Sequence, residues 1–131
     1  MTDLDYNLLT IRPASSLTAS YVAGTIIDNN ASLPYQNQLN IYCFFTIGAL
    51  TSATIKVEFS ADGNNWVQEV IDELTSGSGV ITERLATRTI LASGNYRLSI
   101  PLKDRYVRIS AIGNVEDNTS SLAILAIVGT A

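Results

Sequence analysis

Residues 54–66, TIKVEFSADGNNW, decide the fold class. Ile55, Val57 and Phe59 alternate with Thr54, Lys56, Glu58 and Ser60, so an extended segment here has one apolar face and one wet face. The run ends on Asp62-Gly63, residue types that tolerate positive φ, and the chain re-emerges on its single tryptophan, Trp66. The pattern predicts a strand, a turn and a return strand, WVQEVID at 66–72, that closes a hairpin.

The same period of two recurs on both sides of this hairpin, and no window carries an amphipathic helical stripe. In LNIYCFFTIG (39–48), Leu39, Ile41, Cys43, Phe45 and Ile47 share one side, while Tyr42 and Phe44 leave the other only half polar. NYRLSIPL (95–102) sends Tyr96, Leu98 and Ile100 inward, and RYVRISAIG (105–113) sends Val107, Ile109 and Ala111 inward. Pro101 has no N–H for a ladder, which places it at a strand end or a sheet edge. SLAILAIVG (121–129) is apolar on both sides, with Leu122, Ile124, Ala126 and Val128 opposed to Ala123, Leu125 and Ile127. Either this strand lies centrally beneath a loop or arm, or its outer face meets another chain.

TSGSGVITERLATRTILASG (75–94) is expected to be a loop and a short strand crossing between sheets. Residues 1–38 hold strand candidates at YNLLTIR and YVAGTIID, joined by PASSLTAS and followed by NNASLPYQNQ. They are expected to form an extended N-terminal arm with edge strands, continuous with a β-sandwich core over 39–131 in one domain. About eight or nine short strands with Gly, Asn, Asp and Ser punctuation point to an all-β, two-sheet antiparallel β-sandwich of jelly-roll type.

Composition narrows the partners. Apolar residues make up 47% of the 131 and charged residues only 15%, so the core is amply supplied while the charged coat is thin, and partner subunits are one way to cover such a surface. The net charge is −4 with no basic run, which argues against nucleic acid and against an anionic membrane surface. LAILAIVG is too short to span a bilayer as a helix, and the acidic start MTDLDYNLLT gives no Sec-type signal.

Chemistry is narrowed further. The chain has no histidine, which removes the usual general base and the commonest metal ligand, and its single Cys43 sits in an apolar strand. No catalytic residue, cofactor or metal is expected. Glu69, Asp72 and Glu73 are read as solvated charges, and Asp62, Asn64, Asn65 and Asp28, Asn29, Asn30 as turn formers rather than calcium ligands.

Two resemblances rest on particular stretches. IKVEFSADGNNW followed by RYVRIS resembles discoidin or galactose-binding-like jelly rolls, which implies a glycan or lipid-head ligand near loop aromatics. Trp66 follows its turn immediately and starts a strand, which favours packing over ligand contact. Nearly end to end, from DLDYNLLTIRPASSLTASYVAGT through YRLSIPLKDRYVRISA to IVGTA, the chain resembles small structural proteins of tailed bacteriophages. That resemblance implies a non-enzymatic capsid decoration (cement) protein on the outer surface of the virion head, made in the host cytoplasm. It further implies the major capsid protein and copies of the chain itself, as a homotrimer, for partners; a tail, neck or fibre component is the alternative. Tyr6, Leu8, Leu9 and Ile11 are then the expected docking segment, and Tyr42, Phe44, Ala123, Leu125 and Ile127 the expected subunit contacts.

Overall fold

Alternation of side chains becomes pairing of strands in the computed structural model, which describes residues 7–28, 38–75, 77, 79–102 and 104–129. The strands among them are β1 (Asn7–Leu17), β2 (Val22–Ala23), β3 (Ile27–Asp28), β4 (Gln38–Thr46), β5 (Ala53–Ser60), β6 (Val67–Gln68), β7 (Val70–Thr75), β8 (Val80–Leu85), β9 (Arg88–Ile90), β10 (Gly94–Pro101), β11 (Tyr106–Gly113) and β12 (Asp117–Gly129). Sheet A has the order β1-β12-β4-β10. Sheet B runs from β2 and β3 through β11 to β5, which β6 and β9 join at its far edge, and β7 pairs only with β8. All of these pairings are antiparallel.

The connectivity is nested. β1 pairs with β12, β2 and β3 with β11, β4 with β10, β5 with β9, and β7 with β8. This is one long hairpin with its tip between β7 and β8, rolled up so that β12 meets β4 and β11 meets β5. Such winding defines a jelly roll, the architecture expected from the strand pattern.

Between the sheets lies the core expected from the alternation. Leu39, Ile41, Cys43, Phe45, Leu122, Ile124, Ala126 and Val128 of sheet A face Ile55, Val57, Phe59, Val107, Ile109 and Ala111 of sheet B, all buried. Burial also pushes the Cys43 thiol up to about 11, which leaves it a small inert hydrophobe. Pro101 ends β10, an edge strand, as its missing N–H requires.

Three segments depart from expectation. First, β1 is an edge strand of sheet A over its whole length, and PASS is part of it rather than a connecting loop. Register shifts at Thr10/Arg12, Arg12/Ser15 and Ser15/Leu17 make this possible. The buried Arg12 collects the displaced carbonyls, donating from Nε to Leu122 O at 3.1 Å and from Nη2 to Ser16 O at 2.8 Å. Second, WVQEVID returns along β5 only through Val67 and Gln68, after which Val70 leaves to pair with Leu85. Third, the segment 75–94 first forms the second arm of that β7–β8 hairpin and only then crosses between sheets as expected, through β9 on β5 of sheet B to β10 of sheet A.

Candidate interaction surface

β12 is central in sheet A, and its second apolar side faces outward beside the second side of β4. The register sets the neighbours in rows across the sheet: Leu8, Ile127, Asn40 and Ser99, then Thr10, Leu125, Tyr42 and Arg97, then Ala123, Phe44 and Asn95. Leu8, Ile127, Leu125, Tyr42, Ala123 and Phe44 therefore form one contiguous apolar strip, rimmed by Thr10, Asn40, Ser99, Asn95 and Arg97. Leu8 is 60% exposed and Phe44 41%, while Tyr42, Ala123, Leu125 and Ile127 are half-buried by their own neighbours in the sheet.

The two groups of residues singled out from β4 and β12 thus share one face, and Leu8 joins them from β1. Ile11 does not. It is buried in the domain's own core, and Leu9 packs against the same core, because the pleat that turns Leu8 outward turns its neighbour inward. Neither is free to dock elsewhere. Tyr6, Asn29 and Asn30 lie outside the described residues.

Trp66 belongs to the opposite layer. On the outer face of sheet B the Arg108 guanidinium lies over the Trp66 ring, 4.5 Å from its centroid, while its Nε donates to Glu58 Oε1 at 2.9 Å. Lys56 approaches the same carboxylate at 4.0 Å and lies 4.3 Å over the Tyr21 ring. Tyr21, Lys56, Glu58, Arg108 and Trp66 form a chain of alternating charges with a ring at each end on the outer face of sheet B, with Glu58 buried at its centre. Sequence reasoning placed Lys56 and Glu58 on a wet face; cross-strand contact with Arg108 was hidden because it joins distant strands.

The turn after β5 is closed by its own side chains. Asp62 Oδ1 accepts from Asn64 N, Asn65 N and Ser60 Oγ, and Gly63 supplies φ = +80°. The backbone donors hold the Asp62 carboxyl well below the usual carboxylate range. Its oxygens are thereby committed to the turn, as expected for a turn former. Glu69 differs from its expectation, because it takes a two-pronged contact from Arg88, at 2.7 and 3.2 Å, and ties the base of β7 to β9. Among the described residues no three His, Cys, Asp or Glu side chains come together as a metal site.

At one end of the sandwich Asp117 joins two loops. Its Oδ2 accepts from Ala49 N at 2.7 Å and its Oδ1 from Thr119 N at 3.0 Å, and these bonds lower its pKa. Gly48 adopts φ = +58° there, and a Cβ on it would fall 2.6 Å from Asp117 Oδ2. This loop requires glycine.

These features define an antiparallel jelly-roll domain with an apolar outer strip on one sheet and a polar, aromatic-capped face on the other. No family model matches the chain, and no curated protein matches it. Among solved structures, PBSX exported protein XepA aligns with 100% of this chain at a TM-score of 0.67 and 14% identity. The alignment covers 39% of that protein, and it shows a shared fold. The similarity to a protein of Bacillus endospore appendages, described as disulfide-linked pili, has a TM-score of 0.47 at 10% identity over 99% of this chain and 94% of that one. Clostridium thermocellum xylanase 10B CBM22-1-GH10 modules, complexed with xylohexaose, give 0.36 at 12% identity over 96% of this chain and 29% of theirs.

Proposed function

We propose that this chain is a non-enzymatic structural protein of a tailed bacteriophage, a capsid decoration protein that docks on the outer surface of the head and stabilises it. The observation that carries the reading is the apolar strip across sheet A. Leu8, Tyr42, Phe44, Leu125 and Ile127 lie side by side on the outer face of a folded domain whose core is already complete. Burying such a strip contributes about 25 cal/mol per Å² removed from water, and the polar rim of Asn40, Asn95 and Ser99 can hydrogen-bond around it. The function is mechanical: each docked domain adds contact area that opposes outward pressure on the shell. The nearly end-to-end resemblance to small phage structural proteins supports this reading, and the jelly-roll frame suits it.

A tail, neck or fibre component would use the same strip at another location in the particle. A glycan-binding module would instead need the aromatic rings of sheet B, and there Tyr21 and Trp66 already carry Lys56 and Arg108 on one face. The test mixes purified protein with phage heads lacking it and follows heat-induced rupture. Saturable binding with a raised rupture temperature, lost in Leu125→Glu while the β spectrum is unchanged, supports decoration. Absence of saturable binding sinks it.

A further inference from the structure

The edges of the two sheets meet where the segment after β2 crosses β1. Gly24 N donates to Ile109 O of sheet B and Thr25 N to Ile11 O of sheet A, both at 2.9 Å. A pocket of about 440 Å³ opens at this crossing, lined by Ile11, Arg12, Pro13, Ser15, residues 22–24 and Thr25. Its wall holds the most buried arginine among the described residues, Arg12, which is 8% exposed.

The charge of Arg12 is unmatched. Arg88, Arg105 and Arg108 are all more exposed, yet each holds a carboxylate, that of Glu69, Asp28 and Glu58 respectively. Arg12 forms no ion pair among the described residues, although a buried cation is the one that most needs an anion. Its Nε donates to Leu122 O and its Nη2 to Ser15 O and Ser16 O, which leaves both N–H groups of Nη1 without a partner among the described residues. Carbonyl oxygens satisfy donors but cancel no net charge. Burial lowers the pKa of the guanidinium, and no neighbouring anion works against that effect.

We propose that this pocket binds the carboxylate of a small aliphatic acid, held by the Arg12 guanidinium. No second Lys or Arg lines the pocket, so charge balance calls for one negative charge, which a carboxylate carries and a phosphate dianion exceeds. The planar guanidinium also matches a planar carboxylate. Thr25 Oγ1 makes no hydrogen bond among the described residues and stands in the same wall as a further donor. Pro13 and Val22, both exposed, offer aliphatic surface to the rest of the ligand. The site needs neither the sheet A strip nor a capsid.

The test uses butyrate as the probe, with chloride at matched ionic strength and inorganic phosphate for comparison, and thermal melts of the whole chain as the readout. Butyrate should raise Tm saturably, by about 5 °C at ten times its Kd, given an unfolding entropy of about 2.1 cal/mol/K per residue. A tethered carboxylate supplies a second measurement that needs no ligand. Thr25 is exposed, so Thr25→Glu and its neutral isostere Thr25→Gln both leave the core untouched. The Glu variant carries its own anion into the pocket, so it should melt higher than the Gln variant and bind butyrate about 10-fold more weakly or worse. No saturable shift beyond that of chloride, phosphate bound as tightly as butyrate, or Thr25→Glu melting no higher than Thr25→Gln would each overturn the proposal. So would equal butyrate affinity in the two variants, since the acid would then sit elsewhere.

Discussion

Leu8 and Ile11, three residues apart on β1, should respond oppositely to truncation. Ile11 is 1% exposed, and the chain passes tightly over it: Thr25 N donates to Ile11 O at 2.9 Å, and a Cβ on Gly24 would fall 2.7 Å from Ile11 Cγ2. Ile11→Ala removes three carbons at about 0.8 kcal/mol each, and the cavity left beneath a backbone that cannot close in raises the loss to about 3 kcal/mol. With an unfolding entropy of about 2.1 cal/mol/K per residue, that loss lowers Tm by about 11 °C. Leu8 is 60% exposed, so Leu8→Ala should cost under about 0.5 kcal/mol and move Tm by less than about 2 °C. Calorimetry on both variants, with urea midpoints as a check, makes the comparison. Equal shifts, or an unaffected Ile11→Ala, would refute the assignment of Ile11 to the core and return the whole segment to the role of a docking arm.

Three further outcomes follow from the structure. Trp66→Ala should lower stability by about 1 kcal/mol through loss of the ring beneath Arg108, measured by denaturant titration, with a glycan array blank before and after the change. A glycan bound by the unaltered protein and lost in the variant at unchanged stability would contradict the packing role. Gly48→Ala should cost about 2 kcal/mol or more in a thermal melt, from the left-handed backbone and the contact with Asp117 combined. Asp117 has a folded pKa below its unfolded value, so its contribution is present above about pH 4 and is lost as pH falls through the folded value. Asp117→Asn should therefore flatten the acid limb of a Tm-against-pH curve, and an unchanged limb would remove Asp117 as its source.

The sandwich was legible where one face of a strand is buried and the other wet. Ile55, Val57 and Phe59 show that alternation, as do Val107, Ile109 and Ala111, and all six are core. β12 takes a central place between β1 and β4, and its outer face lies in the apolar strip. VITERL gave no such signal, because a ribbon with no sheet to lie on has no face to keep apolar. β1 was cut short at Arg12 because its later residues are bulged, and a bulge breaks the period of two that identifies a strand. The strip on sheet A was legible residue by residue, since Tyr42, Phe44, Leu125 and Ile127 are apolar where a wet side was due. Its continuity depends on β12 lying beside β4, and alternation carries no information about strand order.

The nesting of the strands also sets the order in which the protein can be finished during synthesis. Asn7 lies against Val128 and Leu17 against Asp117, so β1 has no partner until β12 has left the ribosome. Until then Ile11 and Leu17, both destined for the core, must wait uncovered, and β4 lacks the neighbour that separates it from β1. Pairings between such distant segments place all-β domains among the slower folders, at about milliseconds to seconds. Completion should therefore wait for β12, the strand that joins β1 to β4 in one sheet.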